Sequence, residues 1–132
     1  MYIRYQIGNP SIKTESVVQE LEVTDGEMPG WGYNRQQRSM SYCLGEKDLV
    51  YGLGETVRGM NKRGWRYISN NTDETFHEEE KNSLYSSHNF FVIISADKSI
   101  GIYVDTPGVV EFDIGYTKLN QIILHFEEFD AD

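Results

Sequence analysis

From Phe90 onward the chain is a series of short β-branched and aromatic runs cut by turn signals, and this pattern constrains the fold most. Phe90-Phe91-Val92-Ile93-Ile94-Ser95 is continuous, as expected for a strand buried on both faces. Ala96-Asp97-Lys98-Ser99 is turn-like and residues 100–105 resume the apolar pattern, so the two runs read as a hairpin. After Pro107-Gly108, residues 109–114 and 121–126 give two more strands. Several short strands separated by turns predict an all-β sandwich with little helix.

The first half is less regular. Ile3-Arg4-Tyr5-Gln6-Ile7 alternates apolar and polar until Gly8-Asn9-Pro10 stops it. Val17, Leu21 and Val23 share one face at period two, although Ser16 and Gln19 also fit the capping box of a short helix; strand is preferred. Residues 27–34, with Pro29, Gly30 and Gly32, read as a loop. Residues 40–44 and 65–69 read as strands, and Thr75 with Glu78 marks a helical turn over 75–81.

Composition removes several classes. At 132 residues the chain is about one domain and falls short of the ~200 that a complete (β/α)8 barrel needs. Its 12 Lys and Arg against 21 Asp and Glu leave a net charge of −9, which opposes nucleic-acid and anionic-membrane binding. Cys43 is the single cysteine, so no disulfide framework or multi-thiolate zinc site can form. The start lacks an apolar signal region and no run approaches a membrane span, so the expectation is a soluble cytoplasmic domain. Aromatics at 13% argue against disorder.

Most candidate motifs have plain structural readings. Tyr51-Gly52-Leu53-Gly54-Glu55 lacks a third glycine at dinucleotide spacing and any following Gly-Lys-Ser/Thr, so a tight turn or close backbone approach is preferred. His77-Glu78-Glu79 lacks the second histidine of a zinc-protease helix, and His88 and His125 stand alone. No metal site and no cofactor are expected. Cys43, on an alternating strand, reads as a small buried hydrophobe. Residues 70–76 form a loop dense in Asn, Thr and Asp, delivered by a strand. Such groups can read sugar hydroxyls, or can simply bond their own backbone in a turn.

An ordered series of these pieces resembles the N-terminal domain of glycoside hydrolase family 31, which includes α-glucosidases. It comprises Tyr51-Gly52-Leu53-Gly54-Glu55, Asn61-Lys62-Arg63-Gly64, Asn71-Thr72-Asp73, Ser83-Leu84-Tyr85, His88-Asn89-Phe90, Gly101-Ile102 and Phe112-Asp113-Ile114-Gly115-Tyr116. The resemblance implies a β-sandwich of the galactose-mutarotase-like type over residues 1–132, beside a catalytic (β/α)8 barrel expected downstream. It implies retaining hydrolysis of terminal α-linked glucose from oligosaccharides. Both catalytic aspartates would lie on the barrel, so this chain would hold no catalytic residue and be inactive alone. Asp73 falls where the family places an aspartate that bonds the sugar beyond the cleaved bond, and Thr75 is the weaker second substrate-binding position. Gly52, Gly54, Asn61, Arg63 and Tyr85 would be structural.

Two other functions fit parts of the sequence. A stand-alone carbohydrate-binding sandwich would use the Tyr and Trp content for stacking on sugar rings. A sugar epimerase would need a paired acid and base, for which Glu55 and His88 are nearest, though nothing in their spacing supports a pair. If the barrel is separate, the face that meets it would be exposed and would promote self-association of this chain.

Overall fold

In the run from Val110 to Phe126, alternation decides everything: Val110, Phe112, Ile114, Ile122, Leu124 and Phe126 are buried, and the residues between them point the other way. A period of two places successive side chains on opposite faces, so these segments must be strands with one face inward. The computed structural model describes residues 3–6, 22–25, 28–56, 58–70, 86–106 and 108–127. They form β1 (Ile3–Gln6), β2 (Glu22–Asp25), β3 (Trp31–Asn34), β4 (Ser39–Cys43), β5 (Leu49–Gly54), β6 (Trp65–Ile68), β7 (Ser87–Ile94), β8 (Ser99–Tyr103), β9 (Val110–Ile114) and β10 (Gln121–Phe126).

Two antiparallel sheets carry the architecture. One has five strands in the order β3-β4-β10-β9-β6, the other three in the order β5-β7-β8, while β1 and β2 form a parallel pair. The fold is the all-β sandwich expected. Its core is one apolar cluster drawn from both sheets. Phe91 of β7 meets Phe112 of β9 edge-on, with ring centroids 5.9 Å apart at 74°. That edge-to-face arrangement is the favoured one for aromatic rings and ties the layers together.

Three expectations need correction. Residues 31–34 are β3, not loop: Pro29 and Gly30 make the turn, and Gly30 takes a φ of 84°. Gly32 is tolerated in β3 because a side chain there would meet Ser41 Oγ at 3.1 Å across the ladder. Cys43 is exposed, because Tyr42 takes the inward position against Trp31, with centroids 5.3 Å apart. Finally, β7 is buried on one face only: Phe91 and Ile93 are buried, whereas Phe90 is 46% exposed. Of the strand expected within residues 17–23, Glu22 and Val23 lie in β2; its earlier part lies outside the described residues, as does the helical turn over 75–81.

The Gly-x-Gly stretch is strand rather than free turn, but its glycines do what the sequence reading asked. Gly52, Leu53 and Gly54 have φ of 119°, 66° and 84°, and the β5–β7 register shifts between Gly52 and Gly54. A Cβ on Gly52 would lie 2.5 Å from Phe90 O, and one on Gly54 2.6 Å from Ser86 O. The bulge therefore presses β5 onto the start of β7, buries Leu53 in its strained conformation, and sends Glu55 outward.

Candidate functional site

The sequence-derived site residues fall between β6 and β7. Asp73 and Thr75 lie outside the described residues, but both stems of their segment are in place. On the outgoing stem, Ser69 is clasped to β9: Ser69 N donates to Val110 O at 2.9 Å, and Val110 N donates to Ser69 Oγ at 2.8 Å. Asn70 N donates to Ile68 O at 2.8 Å. On the returning stem, Glu55 N donates to Ser86 O at 2.8 Å, a bond that depends on the bulge.

Both stems line one shallow cleft between the sheets, open to solvent, with room for about one water molecule. Leu53, Tyr67 and Phe112 form its apolar part, while Glu55, Ser69, Ser86 and His88 supply polar groups. His88 Nε2 lies 3.2 Å from Ser86 Oγ. The fold thus brings Glu55 and His88 to one cleft, a convergence their sequence spacing did not suggest. Among the described residues, no group of three His, Cys, Asp or Glu side chains is placed to hold a metal ion.

Two cations close the side of the sandwich where the five-stranded sheet ends at β6. Arg58 and Lys62 are both buried. The Arg58 guanidinium lies 4.2 Å from the Trp65 ring centroid and 5.1 Å from that of Tyr67, and it donates to Arg66 O at 2.6 Å. Lys62 Nζ lies 5.5 Å from the Tyr67 centroid and donates to Thr56 Oγ1 at 2.9 Å. Burial first, and the Arg58 charge second, hold the Lys62 pKa below its ordinary value. Burial raises that of Tyr67, and the nearby Arg58 charge opposes the rise. Among the described residues, the buried Tyr67 hydroxyl has no hydrogen-bond partner of good geometry. Sequence reading missed this cluster. Its signal was Trp65 and Tyr67 at period two, preceded by cations at 58 and 62.

Arg63 and Asn61 have the structural roles the motif implied. Arg63 donates to the carbonyls of Gly45, Glu46, Asp48 and Leu119 and to Asn120 Oδ1, at 2.8–3.2 Å. One guanidinium thereby ties the β4–β5 loop to the β9–β10 loop. Asn61 Oδ1 accepts from Val50 N at 3.2 Å and from Arg63 N at 3.3 Å.

This geometry defines an all-β sandwich in which Ser69 and Ser86, the described residues flanking positions 71–85, line one inter-sheet cleft. Residues 12–113 match the family described as the glycosyl hydrolase 31 N-terminal galactose mutarotase-like domain, and the chain belongs to that family. It is 24% identical over 82 residues to an α-glucosidase of Saccharolobus solfataricus, which covers 62% of this chain and 12% of that protein. It is 34% identical over 71 residues to α-glucosidase 2 of Bacillus thermoamyloliquefaciens, covering 53% and 9%. Among solved structures, a cycloalternan-degrading enzyme from Trueperella pyogenes superposes with a TM-score of 0.61 at 19% identity over 67% of this chain and 13% of that one. A Flavobacterium johnsoniae family 31 dextranase complexed with glucose gives 0.58 at 22% identity over 78% and 12%. The chain thus spans about a tenth of the length of these relatives.

Proposed function

We infer that this chain is the N-terminal sandwich of a retaining α-glucosidase that removes terminal α-linked glucose from oligosaccharides, and that it contributes a substrate-positioning loop. The observation that carries this reading is the family match over residues 12–113, together with two α-glucosidase relatives. In this reading the nucleophile and the acid/base are aspartates on a (β/α)8 barrel of the same polypeptide, with carboxylates about 5–5.5 Å apart as retention requires. The sandwich adds no group to bond cleavage. Asp73 accepts hydrogen bonds from hydroxyls of the leaving sugar, and Thr75 assists.

The anchored stems support this role. A loop whose ends are fixed by the Ser69–Val110 clasp and the Glu55–Ser86 bond loses less freedom when it meets substrate. Charge-assisted bonds to a sugar remote from the reacting carbon then help to orient the glycosidic bond.

The test is Asp73→Ala in the full-length enzyme. Loss of about 1.5–3 kcal/mol of charge-assisted bonding predicts a roughly 10- to 100-fold fall in kcat/KM on maltose or isomaltose. An aryl α-glucoside, whose leaving group is not a sugar, should be much less affected. Unchanged kinetics on both disaccharides would remove Asp73 from the site. This chain alone should not hydrolyse the aryl glucoside, and turnover that persisted through stringent purification would overturn the division of labour.

A further inference from the structure

Among the described residues, the Tyr67 hydroxyl is the buried side-chain polar atom left without a hydrogen-bond partner. The residue is 2% exposed, so bulk water does not make up the loss. Its ring sits against two buried cations, with Lys62 Nζ 5.5 Å and the Arg58 guanidinium 5.1 Å from the centroid. Lys62 is short of acceptors as well. An ammonium has three donors, and among the described residues only Thr56 Oγ1 accepts one, at 2.9 Å. Thr56 and Tyr67 line the same cleft, which has room for about one water molecule. Charge decides what kind of atom suits that space. Burial and the Arg58 charge both work against the Lys62 ammonium, so the local potential is positive although the whole chain carries −9. A water molecule would satisfy the hydroxyl and leave that repulsion in place. An anion accepts from hydroxyl and ammonium alike and offsets the buried charge. Glu55 is the carboxylate on the cleft lining, and it is exposed, so solvent and salt screen it.

We propose that the Tyr67 hydroxyl, the Lys62 ammonium and the Thr56 hydroxyl together bind one chloride ion at the inner end of this cleft. The site is a structural one and is independent of the glycosidase reading. Tyr67 and Lys62 donate to the ion, and Thr56, which accepts from Lys62, keeps its own hydroxyl proton to donate. The small volume admits a monatomic ion and excludes sulfate, phosphate and organic carboxylates. Position gives the ion its effect. Thr56 follows the bulged end of β5 in the three-stranded sheet, and Tyr67 lies on β6, the edge of the five-stranded sheet. A chloride held by both links the two sheets beside the stems at Ser69 and Ser86, which line the same cleft.

Replacing sodium gluconate by sodium chloride at constant ionic strength tests this. Raising chloride from about 10 to about 300 mM should lift the thermal unfolding midpoint of this chain by on the order of 5 °C, along a curve that saturates. Bromide should act as chloride does. Lys62→Met should abolish the saturable rise. Tyr67→Phe, which removes one neutral donor, should move the curve to roughly three- to ten-fold higher chloride and leave stability in gluconate nearly unchanged. Crystals of this chain or of the full-length enzyme soaked in bromide need no substitution, and should show an anomalous peak in hydrogen-bond contact with Tyr67 Oη and Lys62 Nζ. A rise that never saturates, or that persists in Lys62→Met, would overturn the proposal. So would density for a water molecule, or for a carboxylate of the chain's own, against the Tyr67 hydroxyl in place of bromide. A bromide peak without a saturable chloride response marks an adventitious ion only and overturns it equally.

Discussion

The outer faces of the two sheets were built to different rules. Across the five-stranded sheet, one outward row runs Gly32, Ser41, Ile123, Asp113 and Arg66, and the next Asn34, Ser39, His125, Glu111 and Ile68. Polar groups dominate, and Arg66 faces Glu111 at 3.9 Å. Even buried Asp113 is satisfied, accepting from Tyr116 N at 3.0 Å, from Thr117 N at 3.1 Å and from the Thr117 hydroxyl. The three-stranded sheet offers Leu49, Tyr51, Phe90, Val92, Ile94 and Tyr103, with Ser99 and Gly101 between them. A sheet with one solvated face normally alternates apolar-in with polar-out; here only Ser99 and Gly101 interrupt the apolar outward positions.

The sharpest test of that contrast is a pair of adjacent residues in β7. Phe91→Ala removes a fully buried ring that packs on Phe112, and should cost this chain about 3–5 kcal/mol in urea unfolding. Phe90→Ala, one residue away, should cost this chain less than about 1 kcal/mol, since nearly half of the side chain is already in water. Equal costs in this chain alone would break the distinction between the faces.

Glycines give a second contrast. Gly52→Ala meets Phe90 O at 2.5 Å and Phe91 Cα at 2.8 Å, both backbone, at a φ of 119°. Neither atom can move without breaking the β5–β7 ladder, so a loss of about 2–4 kcal/mol is expected. Gly101→Ala, on the outer face, meets only the Phe90 ring at 3.3 Å, which can rotate away. Its effect should stay within about 0.5 kcal/mol, because alanine also restricts the unfolded chain. Comparable losses at both positions would mean that the outer face is packed as tightly as the inner.

How much of this was legible in the sequence follows from what each residue has to say locally. Residues 90–94, 110–114 and 121–126 announced strands through β-branched and aromatic density, which depends on no distant partner. β3 was hidden because Pro29, Gly30 and Gly32 carry turn chemistry, and only Trp31, packed on Tyr42, reveals the strand. β5 was hidden by its glycines, and the positive φ of Leu53 is imposed by β7, a tertiary cause no local pattern encodes. The exposure of Phe90 on β7 was illegible for a different reason: an apolar run looks the same whether one face or both are buried. The site divided similarly. The motif series pointed to Asn61 and Arg63, whose bonding bears that out, and to Asp73 and Thr75, which lie outside the described residues. Arg58, Lys62 and Tyr67 escaped notice because their cluster exists only once the chain folds β6 beside the 58–62 segment.

Tyr67 is the exception to the contrast of faces, a polar group on an inner face, and it yields the smallest predicted effect. Its hydroxyl is buried without a hydrogen bond of good geometry to the described residues, so Tyr67→Phe discards a desolvated group while keeping the ring under Arg58 and Lys62. Stability at neutral pH should change by less than about 1 kcal/mol, in either direction. The alkaline range discriminates. Burial raises the folded pKa of Tyr67 above 10.0, so between the unfolded and folded values only the unfolded chain releases the proton. That drains the folded state, and stability falls as pH climbs through the interval. Lys62 acts oppositely, because its lowered folded pKa lets stability rise with pH until the unfolded lysine also deprotonates near 10.5. The parent's alkaline profile mixes the two, but the difference between Tyr67→Phe and parent isolates the tyrosine. Urea unfolding from about pH 8 to 11 should give a flat difference up to about pH 9.5 and a growing relative gain for Tyr67→Phe above it. Parallel profiles across the whole range would place the Tyr67 hydroxyl in contact with water, and the cleft would then reach deeper between the sheets than its apolar floor indicates.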